Sequence, residues 1–419
     1  MNNTSNITQS TQRDRPRDES AISVTKAWEQ IRQELPDWGS ETCDLTQATN
    51  RILSADIQSD RDQPPFHRVA MDGISIDFAD WQNGQRTFSI EATHQAGVQP
   101  PDTKENGTCF EVMTGAVLPP SCNCVIPYEE LTREDENAVI HENTTATHMQ
   151  FVHQLGTDQS SGDTLLKAGT KLLAPQIAIA ASVGAHEVPV YRLPSVALIT
   201  SGDELVPVDH SVKPWQIRQS NRPAAEAALT QHGFPPAASH HLPDDKAQIT
   251  ETLQEVLASQ DVIILGGGVS KGKYDFVPDC LAELGVNKVF HRVRQRPGKP
   301  MWFGVGQTGQ LVFALPGNPV SFLTCLYRYV LPALNLATRQ PPRHPDCAVL
   351  TEAITITKKL TTFIPVIATQ DPTGTLHATP APTKGSGDFC SLAPTTGCIE
   401  LQEGAGEYPR GHVLPYVEW

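Results

Sequence analysis

The stretch DVIILGGGVSKGKYD (residues 261–275) places an apolar strand directly before a turn rich in glycine and charge. The apolar run at 262–265 is typical of a strand that is covered on both faces of a sheet. Glycines let the backbone approach a ligand without Cβ hindrance, and amides exposed in such a turn can hold an anion. Lys271 and Lys273 would add positive charge, and Asp275 closes the segment. A tight turn with two solvated lysines is the alternative interpretation.

Two other strands run into similar turns. SVALIT (195–200) leads into SGDEL, and LVFAL (311–315) leads into PGNPVS. Helical patterns separate the strands, so the alternation predicts a doubly wound, mostly parallel sheet with helices on both faces. In such a sheet ligands bind beyond the carboxyl ends of the strands. We therefore expect the three turns to meet at one edge.

Acidic residues accompany these turns. Glu204 lies in SGDEL, Asp244 and Asp245 lie in LPDD, and Asp275 ends the glycine stretch. Mg²⁺ prefers a few carboxylates together with phosphate oxygens of the ligand; the same acids could instead accept hydrogen bonds from an organic ligand. Asp245 is also well placed to be the N-cap of the helix that follows, which leaves Asp244 as the freer of the pair. Asn221 is predicted to cap the helix over 222–233.

A charged turn and a proline-rich turn complete the group. In RPGKP, a fixed turn would hold Arg296 and Lys299 close together as a clamp for an oxyanion, or the two would form a charged surface turn. Pro316 and Pro319 stiffen PGNP because each fixes φ and lacks an N–H. Asn318 can offer its amide to the ligand.

The spacing Gly267-x-x-x-x-Gly272-Lys273 is that of a P-loop. Tyr274 follows, whereas a P-loop requires serine or threonine there to bind Mg²⁺. The sequence therefore argues against a P-loop NTPase.

Composition excludes several classes of protein. The 419 residues carry a net charge of −15, which argues against binding nucleic acid through its phosphates. No apolar run reaches the roughly 18 residues of a membrane helix. Nine scattered cysteines suit reduced thiols better than a disulfide framework, so we expect a cytoplasmic protein. The polar start has no apolar centre and is not expected to be a secretory signal.

The motifs SGDEL, LPDD, GGGVSKGKYD, RPGKP and LPGNPVS, in this order, closely resemble the molybdopterin molybdenumtransferase family, which includes MoeA and the E domain of gephyrin. VAMDGISI (69–76) and FEVMTGAVLPP (110–120) resemble the first two motifs of the family. KGSGDFCSLAPTTGCIEL (384–401) resembles its last domain. The resemblance runs from about residue 20 to the end of the chain.

The resemblance implies an elongated homodimer of four domains per chain. It implies insertion of molybdate into adenylylated molybdopterin, with release of AMP to give molybdenum cofactor, in a reaction that depends on Mg²⁺. The upstream adenylyltransferase and downstream molybdoenzyme chaperones are possible partners; nucleic acid and membrane are not expected. The expected division is a disordered tail at 1–20, a mixed linker and dimerisation domain at 21–65 plus 156–193, a β-rich domain at 66–155, a molybdopterin-binding α/β domain at 194–343 and a C-terminal β domain at 344–419.

Site residues follow from the motifs one by one. The resemblance implies catalytic roles for Asp72, Thr114, Glu204, Asp244 and Asp275, of which Glu204, Asp244 and Asp275 are the expected metal ligands. It implies binding of the pterin substrate by Gly267, Gly268, Ser270, Lys271, Arg296, Lys299, Pro316, Asn318 and Pro319. In the family the β-rich domain faces the α/β domain of the partner subunit, so Asp72 and Thr114 are expected to act across the dimer. Asp158, in the short motif LGTD, resembles a further acid of the family.

Three positions depart from the family pattern. Ile74 stands where many members have tyrosine, Arg296 stands where some have lysine, and TTFIPVIA replaces an arginine-rich stretch in the last domain. The last departure puts the role of that domain in doubt more than the active site. A binding scaffold of the gephyrin type and the neighbouring pterin adenylylation are the alternative functions; the absence of a fused partner domain disfavours the first, and the additional β domains disfavour the second.

Overall fold

The computed structural model describes residues 21–102, 104–243, 245–268, 276–341, 346–404 and 406–419. The chain divides into two compact units. The smaller unit is Thr42–Val190, and the larger unit combines the described residues up to Glu41 with Tyr191–Trp419.

In chain order, the α-helices of the described residues are α1 (Val24–Gln33), α2 (Phe78–Gln82), α3 (Ala174–Ser182), α4 (Asn221–Gln231), α5 (Lys246–Ser259), α6 (Val277–Glu283), α7 (Pro319–Cys325) and α8 (Leu331–Ala337), with a π-helical turn, Leu326–Val330, between α7 and α8. The strands up to residue 191 are β1 (Ser40–Asp44), β2 (Ile57–Gln58), β3 (Arg68–Val69), β4 (Gly73–Ile76), β5 (Thr87–His94), β6 (Thr108–Val112), β7 (Cys124–Pro127), β8 (Leu131–Glu134), β9 (Asn137–Ile140), β10 (Val152–His153), β11 (Thr164–Leu166) and β12 (Glu187–Tyr191). The later strands are β13 (Val196–Ser201), β14 (Leu205–Val206), β15 (Ile217–Arg218), β16 (Ala238–Leu242), β17 (Val262–Gly266), β18 (Asn287–His291), β19 (Gln295–Arg296), β20 (Trp302–Val305), β21 (Leu311–Leu315), β22 (Asp346–Leu350), β23 (Ile354–Ile356), β24 (Thr361–Gln370), β25 (Leu376–Pro380), β26 (Gly397–Leu401), β27 (Gly406–Tyr408) and β28 (Val413–Glu418).

The central sheet of the larger unit has the strand order β16-β13-β17-β21-β20-β18. The first four strands are parallel. Helical crossovers connect β13 to β16 through α4 and β16 to β17 through α5, which returns the chain to the same edge each time. Side chains of β17 alternate between two cores: Ile264 packs in the core that includes α1, α4 and α7, and Ile263 packs in the core that includes α5 and α6. The sheet is therefore covered on both faces, which explains its continuous apolar runs.

One edge of this mostly parallel sheet is antiparallel. β20 pairs with both β21 and β18 in antiparallel fashion. The short connection between β20 and β21, residues 306–310, is a hairpin that needs no crossover helix, so the strand–helix alternation does not reveal it. Gly309 in this connection has φ +92°.

The C-terminal part of the larger unit is a closed barrel. β24 pairs with β25, β25 with β22, β22 with β28, β28 with β26, and β26 returns to β24. Closure leaves these five strands without a free edge within the ring, although β19 also pairs with β24. Apolar side chains such as Val366, Ile399 and Leu414 fill the interior.

One described helical stretch, Pro319–Ala337, is long and apolar enough by length and composition alone to cross a bilayer. Most of it is buried inside the protein. Phe322, Tyr329 and Leu334 pack in the same core as the central sheet, so the stretch serves as a core helix of the larger unit.

The smaller unit is built on a six-stranded sheet with the order β7-β4-β6-β5-β9-β8. Only β5 and β6 pair in parallel among these neighbours. Gly73, in β4, lies so close to the neighbouring strand that a Cβ there would clash with the carbonyl of Ile126. This packing fixes the position of Asp72, the residue just before β4.

Candidate functional site

Three turns meet at the carboxyl-end edge of the central sheet. Thr200 pairs with Gly266, and Gly266 pairs with Leu315, so β13, β17 and β21 end side by side. The turns that follow them begin at Gly202, Gly267 and Pro316. The structure thus brings together the three motifs whose strands had been expected to end at one edge.

A cavity of about 430 Å³ opens between the three turns and the start of α4. Six of the site residues expected from the sequence are among those that line it: Glu204, Gly267, Gly268, Pro316, Asn318 and Pro319. We call this space the edge cavity.

The glycine turn depends on the absence of side chains. Gly267 has φ +110°, and a Cβ there would lie 3.0 Å from the carbonyl oxygen of Ser201. A Cβ on Gly268, which has φ +70°, would lie 2.7 Å from a methyl carbon of Val277. The Gly267 amide donates to the Leu315 carbonyl at 3.0 Å, so this residue supplies close approach of the backbone and not a free anion-binding N–H.

The third turn is fixed by side-chain amides. Asn221 donates from Nδ2 to the Gly317 carbonyl at 2.8 Å, and Asn318 donates from Nδ2 to Ser386 Oγ at 3.0 Å. Asn221 was predicted to be the N-cap of α4, and this is wrong: it is the first helical residue, and Ser220 occupies the cap position. The carbonyl of Gly317 attracts the Asn221 side chain away from the helix end.

Glu204 is an exposed residue in the wall of the edge cavity. Its carbonyl accepts a hydrogen bond from the Ile217 amide at 2.9 Å, which ties the first turn to the segment before α4. Gly202 has φ +132°, and its Cα hydrogens face the Glu204 carboxylate. A side chain at position 202 would therefore collide with this carboxylate, so the glycine leaves room for Glu204 in the cavity wall.

Arg296 and Lys299 are exposed and lie on one turn. Neither is among the residues that line the edge cavity, although the next residue, Pro300, does line it. The turn rests on a buried anchor. Gln295 donates to the Pro297 carbonyl at 3.0 Å and accepts a short hydrogen bond from the Tyr329 hydroxyl. Burial raises the pKa of Tyr329 well above its ordinary value, so this hydroxyl remains a donor.

Four expected site residues, Asp244, Ser270, Lys271 and Asp275, lie outside the described residues. Within the part of the chain that the structure describes, no three His, Cys, Asp or Glu side chains are grouped so that they could hold a metal ion. Asp245 does cap α5, as predicted, by accepting a hydrogen bond from the Gln248 amide at 2.9 Å.

The two site residues expected from the β-rich part of the chain lie together in the smaller unit. Thr114 donates to Asp72 Oδ1 from its hydroxyl at 2.7 Å and from its amide at 2.6 Å. These two hydrogen bonds, the hydroxyl first, lower the pKa of Asp72. The register explains the pair, because Gly73 stands opposite Val112 on the neighbouring strand. Asp158, the match in the short motif, contacts His153 Nε2 at 3.0 Å.

Part of the cavity wall is formed by residues that no sequence motif marks. Thr200 and Gln219 line it, and both are buried, with 4% and 5% of their surface exposed. The long connection from β13 to α4, residues 202–220, was the available signal, since long loops at this edge of a sheet are often functional.

Family sequence models match the chain in three consecutive regions: the MoeA N-terminal region (domain I and II) over residues 22–184, the probable molybdopterin binding domain over 197–336 and the MoeA C-terminal region (domain IV) over 347–419. A molybdopterin molybdenumtransferase of a Synechocystis species is 37% identical over 399 residues, covering 95% of this chain and 100% of the relative. The chain belongs to the molybdopterin molybdenumtransferase family. The resemblance inferred from the motifs is thereby confirmed.

More distant members of the family match over similar lengths. The Staphylococcus epidermidis molybdopterin molybdenumtransferase is 27% identical and covers 94% of this chain and 95% of its own. The crystal structure of the molybdopterin biosynthesis MoeA protein of Pyrococcus horikoshii, 27% identical, superposes with a TM-score of 0.79 over 95% of this chain and 99% of that chain. This likeness confirms the predicted fold class.

Proposed function

We propose that this chain inserts molybdate into adenylylated molybdopterin, with release of AMP, to give molybdenum cofactor. The edge cavity carries the proposal. It lies where α/β sheets bind ligands, its volume of about 430 Å³ suits a small organic molecule, and the motifs shared with the family line it. Molybdate and adenylylated molybdopterin are the substrates in this proposal.

The described residues would bind and orient these substrates. Gly267 and Gly268 leave room for the ligand against the backbone, and the rigid Pro316–Pro319 turn holds the opposite wall. Arg296 and Lys299, both cations on an anchored turn next to the cavity residue Pro300, would attract anionic groups. Positioning of two repelling anions is the contribution that such an arrangement makes to the rate.

We propose that Mg²⁺ is held by Glu204 with Asp244 and Asp275. Carboxylate oxygens are the donors that this hard cation prefers, and the exposed Glu204 in the cavity wall has the right chemistry. The bound ion would neutralise negative charge on the phosphates of the substrate.

The proposal also includes a cytoplasmic homodimer with four domains per chain after the tail. The Asp72–Thr114 pair would act in the same reaction from the partner subunit, as the family resemblance implies. The upstream adenylyltransferase and the downstream molybdoenzyme chaperones are the proposed protein partners.

Reconstitution tests the proposed reaction. Purified protein, adenylylated molybdopterin, molybdate and Mg²⁺ should yield molybdenum cofactor and stoichiometric AMP. Glu204→Gln should reduce the rate by at least about tenfold, with partial recovery at high Mg²⁺, because it removes a charged ligand. Glu251→Gln, the same change on the exposed surface of α5, is the matched control. Full activity of Glu204→Gln at limiting Mg²⁺ would contradict the assignment.

A further inference from the structure

A buried polar group without an obvious structural purpose lies in the wall of the edge cavity. Gln219 has only 5% of its surface exposed, yet it lines the cavity. Its backbone amide donates to the Val206 carbonyl at 2.9 Å, which holds the main chain in place without the side chain. Burying a primary amide is costly unless its hydrogen bonds are made, so its partners decide its role.

The amide nitrogen of Gln219 has a partner. Gln219 Nε2 lies 3.3 Å from His241 Nδ1. The Thr200 hydroxyl also contacts His241 Nδ1, at 3.2 Å. An amide NH₂ can only donate, so His241 Nδ1 accepts and the ring carries its proton on Nε2. His241 therefore fixes which end of the amide points away from the cavity.

The amide oxygen of Gln219 has no hydrogen-bond partner among the described residues. Because Nε2 is directed to His241, Oε1 is the end of the amide left for the cavity. An acceptor in the wall of a cavity is stabilised when a ligand donates an N–H to it, and it disfavours a ligand that presents another acceptor at the same place.

We propose that Gln219, oriented by His241, is a specificity-determining residue that accepts a hydrogen bond from the amino group of the heteroaromatic ring of the substrate. The identity of this ring rests on the proposed function, because the substrate is taken from it. That substrate has two rings with an amino group, the pterin and the adenine, and both offer the same chemistry. Replacement of the amino group by a carbonyl would set two acceptors against each other.

Binding of matched ligand pairs to the full chain tests the proposal. One pair is AMP and inosine monophosphate; the other is 6-hydroxymethylpterin phosphate and the corresponding lumazine, which has oxygen in place of the amino group. Calorimetry should show that the amino member of one pair binds about tenfold more tightly than its partner, the effect of one well-made hydrogen bond and one avoided clash of acceptors. The pair that shows the preference identifies the ring.

Two variants separate recognition from folding. Gln219→Met keeps the length of the side chain and should abolish the preference by weakening only the amino ligand, with the unfolding temperature nearly unchanged. His241→Phe should reduce the preference in part, because the amide loses its fixed orientation. Gln231→Met, on the exposed end of α4, should retain it in full.

The outcomes distinguish this inference from the proposed function. Equal affinity within both pairs in the wild type, or an unchanged preference in Gln219→Met, would overturn it even if the protein makes molybdenum cofactor. A preference that disappears with Gln219→Met would support it even if the reconstituted reaction failed.

Discussion

The two edges of the central sheet are built in opposite ways. At the amino ends of β13 and β17, Arg192 and Asp261 form two hydrogen bonds of 2.9 Å, and Ser195 donates to the same carboxylate from its amide at 2.7 Å and its hydroxyl at 2.8 Å. At the carboxyl ends, the turns leave a cavity of about 430 Å³, with the exposed Glu204 in its wall.

This difference separates stability from ligand binding within one sheet. Both carboxylate oxygens of Asp261 already accept hydrogen bonds from Arg192 or Ser195, so this group holds the fold together and does not bind a ligand. The Gln219 oxygen at the other edge has no partner in the described part of the chain. Substitutions at the amino-end edge should therefore lower stability and leave ligand affinity unchanged. Substitutions of side chains that line the edge cavity should lower ligand affinity with little loss of stability, whereas a change at its positive-φ glycines should lower both.

Asp261→Ala should have the largest effect on stability, a loss of about 3 kcal/mol, because it leaves Arg192 partly buried without its partner. Denaturant unfolding measures the loss, and AMP binding by the protein that remains folded should be unchanged. A loss below about 0.5 kcal/mol would contradict the distinction between the edges.

The same carboxylate predicts how stability depends on pH. Burial opposes ionisation of Asp261, but hydrogen bonds from Arg192 and Ser195 outweigh it and lower its pKa. Because the folded pKa lies below the unfolded value of about 3.9, this stabilisation is complete above that pH and is lost as pH falls through the folded pKa. The difference in stability between wild type and Asp261→Asn should therefore narrow below about pH 4.

Gly267→Ala should have a smaller effect on stability, about 2 kcal/mol, from its positive φ and the approach to the Ser201 carbonyl. Gly309→Ala is the matched control, since Gly309 has φ +92° with no atom within 4 Å of a new Cβ. It should lose about 1 kcal/mol and keep full AMP affinity. Equal AMP affinity in the two variants would mean that the glycine turn does not contact the ligand.

Thr114→Val should have the smallest effect, confined to the smaller unit. It removes the hydroxyl that contributes most to the lowered pKa of Asp72 and leaves the backbone amide bond intact. The pKa of Asp72 should rise toward its ordinary value in an NMR titration of the carboxyl carbons. Thr145→Val, at an exposed threonine of the same unit, should leave it unchanged.

The central sheet was predictable because its signals are local. An apolar run such as 262–265 followed by glycines indicates a buried strand and the turn after it, and the alternation with helices gives parallel neighbours. The barrel was not predictable in the same way. The first half of β24 pairs with β26 and its second half with β25, and one strand sequence cannot reveal two partners.

In the candidate site, too, only residues with a local signal could be predicted from the sequence. Glycines, prolines and charged residues mark Gly267, Pro316 and Glu204 in the sequence itself. Gln219 carries no such mark, since a glutamine before a helix is ordinary. Its importance appears only when folding brings His241 of β16 against its amide.

A crystal structure of the full chain with AMP bound tests the central claim most directly. The account predicts that the nucleotide lies in the edge cavity and contacts all three turns, through residues such as Gly202, Gly267 and Pro316. AMP bound elsewhere, with the edge cavity filled only by water, would contradict it.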